Sequence, residues 1–203
     1  MLELGRLGLR ELAGRRLPRR CRRAGIVVVA SDIDEQADVA AVWLARIGRS
    51  GGIGEMCQYE RVSVNWQYMA GGSASDFEPT GRRAAAVAGP ASMLTFLGST
   101  GGRSRAERAA QGYEIDPSLA GWVACATFRV AREVSYLQVG ARQVEVPEHG
   151  HVVVAWKAPA TWRPRRPPIK ALGANGEILS ELGTDDHLDA LSRIAIEKAI
   201  GYT

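Results

Sequence analysis

His149 and His151 are separated by one residue, so in an extended segment their rings project to the same side and could share a metal ion. A third ligand would come from Glu148, Asp186 or His187, and the chemistry would then be metal-assisted hydrolysis. Against that reading, His149 lies in the turn-like stretch EHGH and His187 in the first turn of an expected helix, where polar residues belong in any case. Asp185 and Asp186 are the one adjacent carboxylate pair worth naming, and the positive end of that helix explains both. Cys21, Cys57 and Cys125 lack the paired spacing of a zinc site or a disulfide framework. A Cys57–Cys125 bridge is expected only if the chain is exported. No P-loop or dinucleotide fingerprint occurs, and no cofactor is implied.

The remaining unusual feature is the segment TWRPRRPPI. Trp162, Arg163, Arg165 and Arg166 set guanidinium planes beside an indole on a proline-stiffened connection, which suits a carboxylate, a phosphate backbone or an aromatic side chain of a partner. With no catalytic set left over, the residues favour a non-enzymatic binding or structural module that contacts a protein partner or ligand through loops. Two alternatives stay open: the metal-dependent hydrolase on His149 and His151, and a nucleic-acid-associated protein.

The last alternative rests on charge. Residues 1 to 23 hold eight arginines against Glu3 and Glu11, a local +6 that leaves −2 for the rest of a chain of net charge +4. A footprint for nucleic acid or an anionic surface would therefore lie in this arm, expected to be flexible, and not on residues 24–203, expected to form one globular β-rich domain. Only three of the 26 basic residues are lysines, a bias that fits a GC-rich bacterial genome, in which a start codon is easily assigned too early. The arm followed by AGIVVVA has the order of a secretory signal, but the apolar run is short and acids follow it at once. The default location is cytoplasmic, and extracytoplasmic if that segment is a signal or the start is misassigned. No stretch approaches the roughly 18 continuous apolar residues of a transmembrane segment.

The elements that must position these residues are mainly strands. GIVVVA reads as a buried strand, and Val39, Val42, Trp43 and Ile47 fall at helical spacing, which predicts a helix over 34–47. Residues 58–69 alternate cleanly, predicting one half-buried strand with Val62, Val64, Trp66 and Tyr68 inward and Gln67 outward. From Gly121 onward GWVACATFRV, VSYLQV, RQVEV and HVVVAW follow at turn-sized gaps. Gly140-Ala141 closes one hairpin, and Asn175-Gly176 predicts a type I′ turn in another. A final helix is expected from Asp185 to Ile200, capped by Thr184, with Leu188, Leu191, Ile194 and Ala195 buried. The fold class is thus mainly β (α+β): an antiparallel β-sandwich or barrel of seven to nine strands, with an N-terminal and a C-terminal helix packed on it.

Residues 121–182, from GWVACATFRVAREVSYLQV through RQVEVPEHGHVVVAWKAP to IKALGANGEIL, resemble the extracytoplasmic β domains of uncharacterised actinobacterial membrane-anchored proteins. The likeness lies in strands and turns and implies location and fold only. The chain departs from that pattern in lacking a transmembrane anchor.

Overall fold

The computed structural model describes residues 2–14, 25–48, 51–77, 83–86, 92–110, 120–160 and 165–201. Among them are eleven strands and three helices, and the strands form three antiparallel sheets and no closed barrel. After helix α1 (Leu2–Leu12), strands β1 (Ile26–Asp34), β2 (Val39–Gly48), β3 (Gly51–Val62) and β4 (Asn65–Phe77) make the first sheet in chain order. The second sheet has the order β5 (Leu94–Arg103), β6 (Trp122–Val130), β9 (His151–Ala158). The third runs β11 (Ile178–Leu182), β10 (Ile169–Leu172), β7 (Tyr136–Val139), β8 (Arg142–Glu145). Helix α2 (Arg105–Ala110) follows β5, and α3 (Ala190–Ala199) follows β11. Where one domain is expected over 24–203, contacts group the chain into two compact units: Met1–Pro79, Gly98–Thr127 and Val153–Arg165 in one, Thr80–Leu97, Phe128–Val152 and Arg166–Thr203 in the other.

In the first unit, the helix expected over 34–47 is instead the turn and second strand of a hairpin. Asp34 accepts the Ala37 amide across the turn, Asp38 takes φ 54°, and Val39 pairs back with Asp34. The helical spacing misleads because β2 lies between β1 and β3 and is covered on both faces, so every residue from Val39 to Ala45 is buried. A strand buried on both sides has no alternation to display, and a continuous apolar run matches helical positions by default. Trp43 is the largest of these side chains and has no exposed surface.

The strand expected over 58–69 is likewise two strands. Ser63, at φ 58°, turns the chain between β3 and β4, and Val64 stands at the tip, 86% exposed. Trp66 is only half-buried and lies under the Arg61 guanidinium, 4.4 Å from the ring centroid. Gln67 is exposed, as its place in the pattern predicts. The alternation in the sequence does not carry across the hairpin: the two-residue turn pairs Val62 with Asn65 and Arg61 with Trp66, so Trp66 and Tyr68 share a face with Arg61 and Tyr59, not with Val62.

The arginine-rich arm is also more structured than its composition implies. Residues 2–12 form α1, whose Leu4, Leu7, Leu9 and Leu12 pack on the outer face of the first sheet, with Leu7 buried among Ala40, Val42, Leu44, Cys57 and Tyr59. The charges of the segment hid a leucine stripe. Residues 15–24 lie outside the described residues. On the opposite face the Asp32 carboxylate of β1 accepts the Ala155 amide of β9 at 2.7 Å, and Glu60 of β3 accepts from Ser104 and Lys157, so the first and second sheets meet as sandwich layers within this unit.

In the second unit, Gly140 (φ 60°) turns β7 into β8 as expected. The β10–β11 turn is not type I′. Gly176 donates to the Gly173 carbonyl and only Gly176 has positive φ, so the connection is a longer turn closed by a left-handed glycine, with a register shift between Ala171 and Leu172.

The C-terminal helix begins at Ala190, not at Asp185, and Asp189 caps it, not Thr184. The Asp189 carboxylate has no exposed surface and accepts the Leu191, Ser192 and Leu94 amides and the Ser180 and Ser192 hydroxyls. Five donors outcompete a solvated threonine. Burial alone would raise the Asp189 pKa, but the hydroxyl and amide bonds outweigh it and hold it below the ordinary carboxylate range. Replacing Asp189 with Ala, read by circular dichroism and urea midpoint, is expected to fray α3 and cost about 1–2 kcal/mol.

Candidate functional site

The two histidines that could share a metal do lie together, their ring centroids 5.8 Å apart. A turn from Pro147 to Gly150 (φ 71°) holds them, and Arg83 pins that turn by donating to the Glu148 and Val134 carbonyls. Their hydrogen bonds fix which nitrogen carries the proton. His149 Nδ1 accepts the His151 amide at 3.1 Å, so its neutral ring is protonated at Nε2. His151 Nδ1 faces the His149 carbonyl oxygen at 3.0 Å and must be the donor, so its lone pair is on Nε2. A shared metal needs a lone pair from both rings toward one point, and this arrangement commits that of the neutral His149 ring to a backbone amide.

Of the third ligands expected for such a site, His187 and Asp186 are engaged elsewhere. His187 stacks at 5.7 Å from the Phe96 ring, and Asp186 accepts the Gly183 amide and pairs with Arg193. Among the described residues no group of three or more His, Cys, Asp or Glu side chains is placed to hold a metal.

Burial, more than the neighbouring charges of His149 and Arg129, pushes the His151 pKa down to about 4. The unfolded chain, at about 6.5, binds a proton that the folded chain refuses, so stability is complete above pH 6.5 and falls as pH drops toward 4. The expected loss over that window is up to about 3 kcal/mol, and His151→Asn, which keeps a donor for the His149 carbonyl, is expected to flatten the profile in urea melts between pH 4 and 7.

Of the four residues in the proline-rich connection, Trp162 and Arg163 lie outside the described residues. Arg165 is exposed, and its carbonyl accepts the Trp156 indole N–H. Arg166 is buried: it donates to the Gly183 and Asp186 carbonyls at 2.6 and 2.7 Å and lies over Phe96. Its guanidinium thus holds a backbone corner and is not presented to a partner. Cys57 and Cys125 are both buried and both free thiols. Burial, helped by Glu55 at Cys57 and by Cys57 and Asp32 at Cys125, pushes each thiol up to about 12, far from a nucleophilic thiolate.

A polar cluster that no local motif announces sits in the first unit. Glu60 has no exposed surface; its Oε1 accepts the Ser104 hydroxyl at 2.5 Å and Lys157 Nζ at 3.3 Å, and its Oε2 accepts the Arg105 and Ala106 amides that open α2. Ser104 caps α2 through the Glu107 amide, and Glu107 reaches Lys157 and the Gly121 amide. Burial alone would lower the Lys157 pKa, but the Glu107 hydrogen bond and the charges of Glu60 and Glu107 outweigh it and raise it. Lys157 is therefore a fixed cation and no general base at neutral pH. Each Glu60 oxygen is already shared by two donors, so the carboxylate serves as a clasp between β3, α2 and β9.

Several large aliphatic side chains are exposed among the described residues. Ile194, Ile196 and Ile200 on and beside α3 expose 57%, 46% and 66% of their surface, and Leu191 is also exposed, although a buried stripe is expected there. The helix is held at its first turn, where Ser192 is buried, and leaves the body beyond it. Among the described residues no helix is long and apolar enough to cross a membrane. In comparisons with known proteins, no family model, no curated protein and no solved structure matches the chain.

Proposed function

We propose that the chain is a non-catalytic binding module that engages a protein partner, and that α3 carries the contact. The observation behind this is the run of exposed Leu191, Ile194, Ile196 and Ile200 on one short, firmly capped helix. Large aliphatic side chains held on a rigid element and left in water are what an interface core is made from. The charges around them are balanced: Arg193, already engaged by Asp186, with Glu197 and Lys198. That balance suits an apolar groove carrying both an acid and a base on its rim, and it is unsuited to a polyanion. The buried carboxylates Asp32, Glu60 and Asp189 are consumed by amides, hydroxyls and a lysine, which supports a scaffold role for the interior.

The test is affinity capture from native extract with three baits: wild type, Ile194→Glu/Ile200→Glu, and His149→Ala. A specific partner is expected with wild type and His149→Ala and is expected to be lost with the α3 variant. Retention by the α3 variant, or loss with His149→Ala, would remove α3 as the contact.

A further inference from the structure

Gln58 has no exposed surface, and among the described residues neither its side-chain Nε2 nor its Oε1 finds a hydrogen-bond partner. A buried carboxamide in that condition is costly, because folding strips it of the bonds it makes to water in the unfolded chain. Polar groups buried in native proteins are as a rule met by other protein groups or by ordered water.

The strand register explains why no neighbouring side chain meets this one. Directly paired residues of adjacent strands share a face, and Gln58 pairs with Ala41 on β2 and with Ala70 on β4. Two residues further along β3, on the same face, Glu60 meets the Ser104 hydroxyl that follows β5. Two residues before Ser104 comes Gly102, which faces Gln58 and has no side chain to offer. The carboxamide is thus flanked by two methyl groups and faced by a glycine. The ladder is also interrupted here: the register shifts between Gln58 and Tyr59, so Met69 of β4 has no partner on β3.

The same glycine makes room. A Cβ built on Gly102 would lie 3.8 Å from the Ala70 Cβ and 3.9 Å from Gln58 Nε2, ordinary contact distances, so a body the size of a methyl group fits between the glycine and the carboxamide. Gly102 and Ala70 are partly exposed and lie on β5 and β4, the end strands of their sheets, so solvent reaches the rim of this place. A body of that size that accepts from an amide N–H and also donates is a water molecule.

We infer that the first and second sheets hold an internal water between Gln58 and Gly102, which accepts from Gln58 Nε2 and finds its further partners in the interrupted β3–β4 ladder. Gly102 makes the room, and Gln58 selects a polar occupant. The inference is independent of the α3 contact, since neither residue lies on that helix.

The full chain, isotope-labelled, is examined by NOESY and ROESY spectra with selective excitation of water. The Gln58 side-chain amide protons are expected to show cross-peaks to water of opposite sign in the two experiments, the mark of a held molecule. Gly102→Ala puts a methyl group where the water sits, so it is expected to abolish these cross-peaks. Its urea midpoint is expected to fall below that of Gly102→Ser, whose hydroxyl would stand to Gln58 as Ser104 stands to Glu60. In a Gln58→Met background the order of the alanine and serine variants is expected to reverse, because a thioether leaves the hydroxyl buried without a partner. Absence of the cross-peaks in wild type would overturn the inference, and that result needs no variant to fold. So would cross-peaks that persist in Gly102→Ala, or the same order of Gly102→Ala and Gly102→Ser in both backgrounds.

Discussion

Glu60→Ala is expected to lower the unfolding free energy by about 3–5 kcal/mol, the range for removing one partner of a buried ion pair. The change strips four donors of their acceptor: the Ser104 hydroxyl, the Arg105 and Ala106 amides, and Lys157 Nζ. The single methyl group left behind cannot accept, and Lys157 keeps only the half-exposed Glu107. Glu107→Ala should cost much less, about 1 kcal/mol, because its partners are nearer to solvent. The sharper check is Glu60→Met combined with Lys157→Met. Removing both charges relieves only the Lys157 part of the loss, so the double variant should stay well below wild type because the Ser104 hydroxyl and the Arg105 and Ala106 amides remain without an acceptor. Urea midpoints at unchanged m-value measure all of these, and a Glu60→Ala midpoint equal to that of Glu107→Ala would show that the clasp is not what joins β3, α2 and β9.

Trp43→Ala is expected to be as damaging, at about 3–5 kcal/mol, since a completely buried indole leaves a cavity that neighbouring strands cannot close. That is a large share of a typical stability of about 5–15 kcal/mol. Trp66→Ala should cost about 1–2 kcal/mol, because this indole is half-buried and its distinctive contact is the Arg61 guanidinium. Gln67→Ala, on the exposed side of β4, should stay within about 0.5 kcal/mol. Were Trp66→Ala the costlier of the two tryptophan changes, the core would lie on the other face of the first sheet.

The class of the fold was legible wherever the physics is local. HVVVAW, the Gly140 turn and the β10–β11 hairpin each announce themselves within a dozen residues, through β-branched runs and glycines that alone accept a left-handed backbone. The errors also have local causes. β2 imitates a helix because burial on both faces erases alternation, and α1 was hidden by arginines although its leucines mark a stripe. At the C-terminus Thr184 and Asp189 are both plausible caps in sequence, and the choice is made by Leu94, 95 residues away in the chain. The Glu60 clasp was out of reach for the same reason: Ser104 is 44 and Lys157 is 97 residues distant. Ser104 and Glu107 do form half of a capping box, the one signal that could have found part of it. The exposed aliphatic residues of α3 could not be read either, because apolar residues at helical spacing mark a buried face as much as a contact surface.

That helix is where a binding measurement decides most. The partner recovered with wild type is purified and titrated by calorimetry against wild type, Ile194→Glu/Ile200→Glu and Arg165→Ala. Two glutamates placed in an apolar interface core should weaken binding at least about 100-fold. Arg165→Ala, an exposed change on the proline-rich connection, should leave the affinity within about twofold of wild type. Equal affinities for wild type and the α3 variant, or a loss confined to Arg165→Ala, would contradict a binding module that works through its C-terminal helix.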